Sequence, residues 1–71
     1  MIARSQRDRL LDAAVDVVAE KGYAATTIAD LTREAGISRT TFYEMFPDKE
    51  ACFLAAYDAA ADVLARRVAA A

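Results

Sequence analysis

Residues 36–51 read GISRTTFYEMFPDKEA and gather a guanidinium at Arg39, hydroxyls at Ser38, Thr40 and Thr41, a phenol at Tyr43 and an ammonium at Lys49. All of these groups donate hydrogen bonds and two are cations, which is the chemistry of holding an anion rather than of breaking a bond. Arg39 can fork to a guanine, Thr40 and Thr41 can reach phosphate oxygens or base edges, and Tyr43 can bring its phenol to a nucleic-acid backbone. Lys49 falls in the first turn of a helix opened by Asp48, where its charge adds to the helix-terminal N–H groups as a phosphate clamp. Bond-breaking chemistry has few candidates. The chain has no histidine and a single cysteine, Cys52, so an internal disulfide and a cysteine-rich metal site are excluded. It also lacks a glycine-rich phosphate loop, and its carboxylates are scattered, so no enzyme, no metal and no cofactor is expected.

The elements that must position these groups are helices. Ser5 with Asp8 resembles a capping box and opens the first helix, and Leu10, Leu11, Ala14, Val17 and Val18 follow at the spacing of a buried stripe. Gly22 after Lys21 is the expected stop in a left-handed conformation, with Tyr23 folding back on the bundle. Thr27 with Asp30 repeats the start signal, and Ile28, Leu31 and Ala35 give the second helix its inner face. Gly36 ends that helix and Ser38 caps the next, so a turn of about three residues separates them, the spacing of a helix-turn-helix. Pro47 biases Phe46 away from helical angles and confines the third helix to Arg39–Met45. Two turns are enough to enter a major groove and too few for an independent packing element, which typically needs three or more. Leu31, Ile37 and Phe42 fall where the two helices must touch. Because Phe42 belongs to the core, its neighbour Tyr43 is expected to face outward.

A chain of 71 residues is one small domain with no room for a deep catalytic cavity. Its 56% hydrophobic content is rich in alanine, which favours helix but buries little area. No apolar run approaches the roughly 20 residues of a membrane span and no signal peptide is evident, so the expected location is the cytoplasm. The net charge of −2 runs against the usual basic footprint of a nucleic-acid binder. Distribution matters more than the sum. Asp12, Asp16 and Glu20 recur at a spacing that keeps them on one helical face, apart from the arginines Arg4, Arg7 and Arg9. Those arginines form either a loose tail or an arm along a phosphate backbone, with Arg4 as the candidate contact.

The stretch TTIADLTREAGISRTTFYEMFPDKEACF, with LLDAAVDVVAEKGY ahead of it, resembles the N-terminal DNA-binding domain of the TetR family of transcriptional repressors over nearly the whole chain. The resemblance implies an all-α fold, a three-helix bundle with a helix-turn-helix plus a fourth linking helix. It implies that the third helix reads an operator, with Arg39 and Thr40 at base edges and Thr27, Ser38, Thr41 and Tyr43 joining Lys49 on phosphates. It also implies a homodimer whose two recognition helices sit about 34–36 Å apart on a pseudo-palindrome. A small-molecule effector held in a C-terminal domain would release the DNA by favouring a different spacing. Two positions differ from many members: Met45 stands where a histidine is common, and Thr32 replaces an alanine, its hydroxyl expected to bond back to the Ile28 carbonyl.

The fourth helix carries Phe53, Leu54, Tyr57, Ala61, Leu64 and Val68, a stripe that continues past what three helices can cover. The expected division is therefore 1–47 as the helix-turn-helix domain and 48–71 as a linking helix, the start of a ligand-binding and dimerisation domain outside this chain. The rival reading is a helical protein-interaction module that binds no DNA, for which the acidic balance is the main support.

Overall fold

In the computed structural model the described residues are 5–70, so Arg4 lies outside them. They form four helices: α1 Gln6–Lys21, α2 Ile28–Ala35, α3 Arg39–Met45 and α4 Lys49–Ala70. No strand occurs among the described residues, and no helix there is long and apolar enough to cross a membrane.

Local chemistry sets the boundaries. Ser5 accepts the Asp8 N–H at 3.0 Å and starts α1. Thr27 and Asp30 make a complete capping box, each side chain accepting the other's backbone N–H at 3.0 Å, and start α2. Ser38 accepts the Thr41 N–H at 3.0 Å and Asp48 accepts the Ala51 N–H at 2.8 Å, starting α3 and α4. At the end of α2, Gly36 is left-handed (φ 70°, ψ 39°), while the Gly36 N–H reaches the Arg33 carbonyl and the Ile37 N–H reaches that of Thr32. This is a Schellman motif, with half-buried Ile37 packed on the core just past the turn. Gly22 differs from expectation. Its φ of 82° is positive but its ψ is 158°, so it is extended rather than left-handed helical, and the chain leaves α1 straight into the turn around Tyr23. Phe46, before Pro47, is extended at φ −140°, ψ 139°, which ends α3.

Helix α1 packs against both α2 and α4, and α3 packs on α2. The core takes Leu10, Leu11, Ala13, Ala14 and Val17 from α1, Leu31 and Ala35 from α2, Phe42 and Phe46, and Cys52 and Ala56 from α4. Val18 is half-buried at the edge of the expected stripe. Three polar residues, Thr26, Asp30 and Thr32, reach the interior with their bonds made. Thr26 donates its hydroxyl to the Gly22 carbonyl at 2.7 Å, and Thr32 donates to the Ala29 carbonyl at 3.1 Å rather than to that of Ile28. A helical threonine can reach either the i−3 or the i−4 carbonyl, and here it takes the nearer one.

Packing of α4 is confined to its first half. Leu54, Tyr57, Leu64 and Val68 are exposed. Phe53 leaves this stripe, since its ring sits edge-on to Tyr23 at a centroid distance of 5.0 Å.

Candidate nucleic-acid interface

Helix α3 is displayed more than it is packed. Phe42 is its only fully buried side chain, Thr41 and Met45 are half-buried, and Arg39, Thr40, Tyr43 and Glu44 are exposed. The anchor follows from the sequence: a bulky phenylalanine one turn into a short helix, its ring tilted against Phe46 at 6.2 Å, holds α3 to the bundle. The remaining faces are left for another molecule.

The residues singled out by sequence fall on three element starts. Arg39 and Thr40 occupy the first turn of α3, and Arg39 has no ion-pair partner among the described residues. Ser38 is committed to the cap: besides accepting the Thr41 N–H, its hydroxyl donates to Thr41 Oγ1 at 3.0 Å. Its oxygen therefore builds the turn, and the Thr41 hydroxyl keeps its own proton for an acceptor outside. Tyr43 is 49% exposed, its ring edge-on to Phe42 at 5.3 Å, so the phenol points away from the core as the alternation with Phe42 requires. Thr27 is exposed at the start of α2, with its Oγ1 engaged by the Asp30 N–H. Lys49 is half-buried at the start of α4. Its ammonium donates to the Tyr23 carbonyl at 3.0 Å and lies 4.3 Å from the centre of the Tyr23 ring.

Sequence reasoning recognised Asp30 as half of a capping box and missed the rest of its role. Its carboxylate also takes Lys21 at 3.0 Å and Arg33 at 2.6 Å, with the side chain only 11% exposed. The Thr27 backbone N–H, then the Lys21 ammonium and the Thr27 hydroxyl, hold the Asp30 carboxyl well below the usual carboxylate range. One carboxylate thus ties the end of α1 to both ends of the short α2, fixing the helix on which α3 is mounted. The available signal was two cations flanking one acid, Lys21 across the turn and Arg33 three residues on.

The N-terminal part of α1 contributes Arg7, whose guanidinium lies 5.9 Å from the centre of the Phe46 ring. The acids of α1 do not stand apart from Arg9 as expected: Asp12 and Asp16 line a groove between α1 and α2 together with Arg9 and Glu34, because Arg9 lies three residues ahead of Asp12 on the same side of the helix. Cys52 is fully buried and packs in the core as a small hydrophobe. Desolvation pushes its thiol up to about 11 against a smaller opposing pull from Arg7. No cluster of metal-ligating side chains occurs among the described residues.

Residues 10–56 match the family model described as bacterial regulatory proteins, tetR family. Among curated proteins, the chain is 41% identical over 51 residues to an "Uncharacterized HTH-type transcriptional regulator YerO" of Bacillus subtilis, covering 72% of this chain and 18% of that protein. It is 49% identical over 45 residues to an "Uncharacterized HTH-type transcriptional regulator YxbF" of the same organism, covering 62% of this chain and 12% of the relative. It is 40% identical over 52 residues to the "HTH-type transcriptional repressor ComR" of Escherichia coli, covering 73% of this chain and 25% of the relative. The chain therefore spans a quarter or less of the length of these relatives. No solved structure matches it.

Proposed function

The chain belongs to the tetR family of bacterial regulatory proteins, a family of DNA-binding transcription regulators rather than enzymes, and on that premise we propose that α3 enters the major groove of an operator. The observation that carries this reading is the division of labour along α3, one buried anchor at Phe42 and an exposed set at Arg39, Thr40 and Tyr43. In this reading Arg39 and Thr40 meet base edges. The side chains of Thr27, Thr41, Tyr43 and Lys49 take phosphates on either side of the groove, and Ser38 serves chiefly by holding Thr41 in place. Arg4 is an additional phosphate contact from the arm ahead of α1.

The proposed division is a helix-turn-helix unit over 1–47 and a linking helix over 48–71. The working regulator is a homodimer on a pseudo-palindromic site, repressing until a small effector shifts the spacing of its two recognition helices. Supporting this are the exposed Leu54, Tyr57, Leu64 and Val68 of α4 and relatives at least about four times longer than the matched stretch.

Fluorescence anisotropy on duplex DNA at low and moderate salt tests the reading, comparing the natural chain with Tyr43→Ala plus Lys49→Ala. Binding is expected at low salt, falling as salt rises, and the salt slope of the double variant is expected to drop by about one. Indistinguishable behaviour of the two proteins would refute the placement of α3 on DNA and favour a protein-interaction module.

A further inference from the structure

We propose that Tyr23 is the positioning residue for the phosphate-binding ammonium of Lys49, holding it in place without neutralising it. The inference rests on the reading that Lys49 meets a phosphate, and it concerns how that charge is made ready.

A lysine ammonium is a point charge on a flexible four-carbon stem, so a free one must surrender rotamer freedom when it binds. Lys49 is not free. Its Nζ donates to the Tyr23 carbonyl at 3.0 Å and sits 4.3 Å from the centre of the Tyr23 ring, well inside the roughly 6 Å range of a cation on an aromatic face. Tyr23 is itself held from two sides. Its ring is braced edge-on by Phe53 of α4 at 5.0 Å, and its carbonyl also accepts the Thr26 N–H at 3.1 Å. Thr26 is buried, and its hydroxyl closes the turn onto the Gly22 carbonyl at 2.7 Å. The cradle therefore joins the turn after α1 to the first turn of α4, across 26 positions of sequence.

The nature of the partners points to a ligand. Asp48 and Glu50 flank Lys49 in sequence, yet neither pairs with it, whereas Lys21 is matched to the Asp30 carboxylate at 3.0 Å. A carboxylate partner would cancel the charge. A carbonyl and a ring quadrupole orient it and leave it whole. Of the three ammonium protons, the carbonyl takes one and the ring face attracts another, which leaves the third for an outside acceptor.

The test is a double-mutant cycle of Tyr23→Leu and Lys49→Met, with Tyr23→Phe as the conservative control, read by anisotropy on duplex DNA at low salt. Tyr23→Leu is expected to weaken binding about threefold with an unchanged salt slope, Tyr23→Phe to stay within about twofold, and Lys49→Met to lower the slope by about one. In the Lys49→Met background, Tyr23→Leu is expected to change nothing further. Equal weakening by Tyr23→Leu in both backgrounds would make Tyr23 a general structural residue and overturn the inference alone. Natural-like affinity and slope in Lys49→Met would overturn the phosphate contact itself, and the inference with it. Should Tyr23→Leu fail to fold, proton NMR of the natural chain decides. Lys49 Hε signals displaced upfield by the ring, and remaining so on DNA, support the cradle; ordinary positions overturn it.

Discussion

Gly22 and Gly36 form a controlled pair, because a Cβ built on either one meets no atom within 4 Å. Alanine at each position therefore tests backbone conformation alone. Gly36 sits in the left-handed basin at φ 70°, ψ 39°, which an L-residue enters at a cost of about 1–2 kcal/mol. Alanine also narrows the unfolded ensemble, offsetting about 0.4–1 kcal/mol, so Gly36→Ala is expected to destabilise by about 1 kcal/mol. Gly22, at φ 82° and ψ 158°, lies in a region that is essentially glycine's alone, with strain of up to about 3 kcal/mol. After the same offset, Gly22→Ala is expected to lose about 2 kcal/mol. A chain of this size has roughly 4–10 kcal/mol in all, so both variants still fold. Asparagine tolerates the left-handed basin, so Gly36→Asn recovers part of the loss, whereas Gly22→Asn does not. Urea denaturation followed by far-UV circular dichroism measures these differences as midpoint shifts at constant slope. Equal losses at the two sites, a larger loss at Gly36, or recovery by asparagine at Gly22 would refute the reasoning.

Phe42→Ala removes a fully buried ring and is expected to cost about 3–5 kcal/mol, close to half the stability of the chain, read as a large fall in urea midpoint. Phe42→Leu, which keeps most of the volume, is expected to cost less in the same assay. Asp30 is protonated more readily in the unfolded chain, near pH 4, than in the folded one, where its partners hold the carboxyl lower. It therefore contributes stability above about pH 4 that is lost as pH falls below that value, and Asp30→Asn flattens the pH dependence of the melting temperature in that range. Cys52, buried and with its thiol raised to about 11, is expected to resist aromatic disulfide reagents at about pH 8 and to react fully in urea.

What was legible in the sequence is what local chemistry decides. Ser5, Thr27, Ser38 and Asp48 each cap the helix they were expected to start, because an N-cap needs only a side-chain oxygen and the backbone two or three residues ahead. Gly36 and Pro47 stop their helices for equally local reasons, and the all-α bundle follows from these punctuation marks with the stripe on α1. One orientation at the candidate site was legible as well: Tyr43 is exposed because its neighbour Phe42 must be buried. Partnerships across the fold were not legible. Lys49 and Tyr23 lie 26 positions apart, and Lys21 and Asp30 lie 9 apart across a turn whose glycine adopts an unanticipated ψ. Phe53 was placed with the exposed stripe of α4 because helical spacing alone cannot show that Tyr23 comes to meet it.

These partnerships also explain how an acidic chain belongs to a DNA-binding family. The sum of −2 counts every carboxylate equally, but a phosphate responds mainly to charges within a screening length of about 8–10 Å. Asp30 is matched by Lys21 and Arg33, and Asp62 by Arg66 at 3.0 Å, so these acids contribute little field of their own. Asp12, Asp16 and Glu34 line the groove between α1 and α2 beside Arg9 rather than the displayed surface of α3. Arg39 and Lys49, by contrast, have no carboxylate partner among the described residues. Neutral groups therefore hold or leave open the cations that the proposed interface needs, while Asp30 and Asp62 are paired and Asp12, Asp16 and Glu34 are placed elsewhere, leaving Glu44 as the acid that α3 itself displays. Affinity built this way comes from a few uncompensated charges rather than from a basic surface, so salt should weaken it with a shallow slope of a few phosphates. A steep slope would mean that more cations than Arg39 and Lys49 meet phosphates.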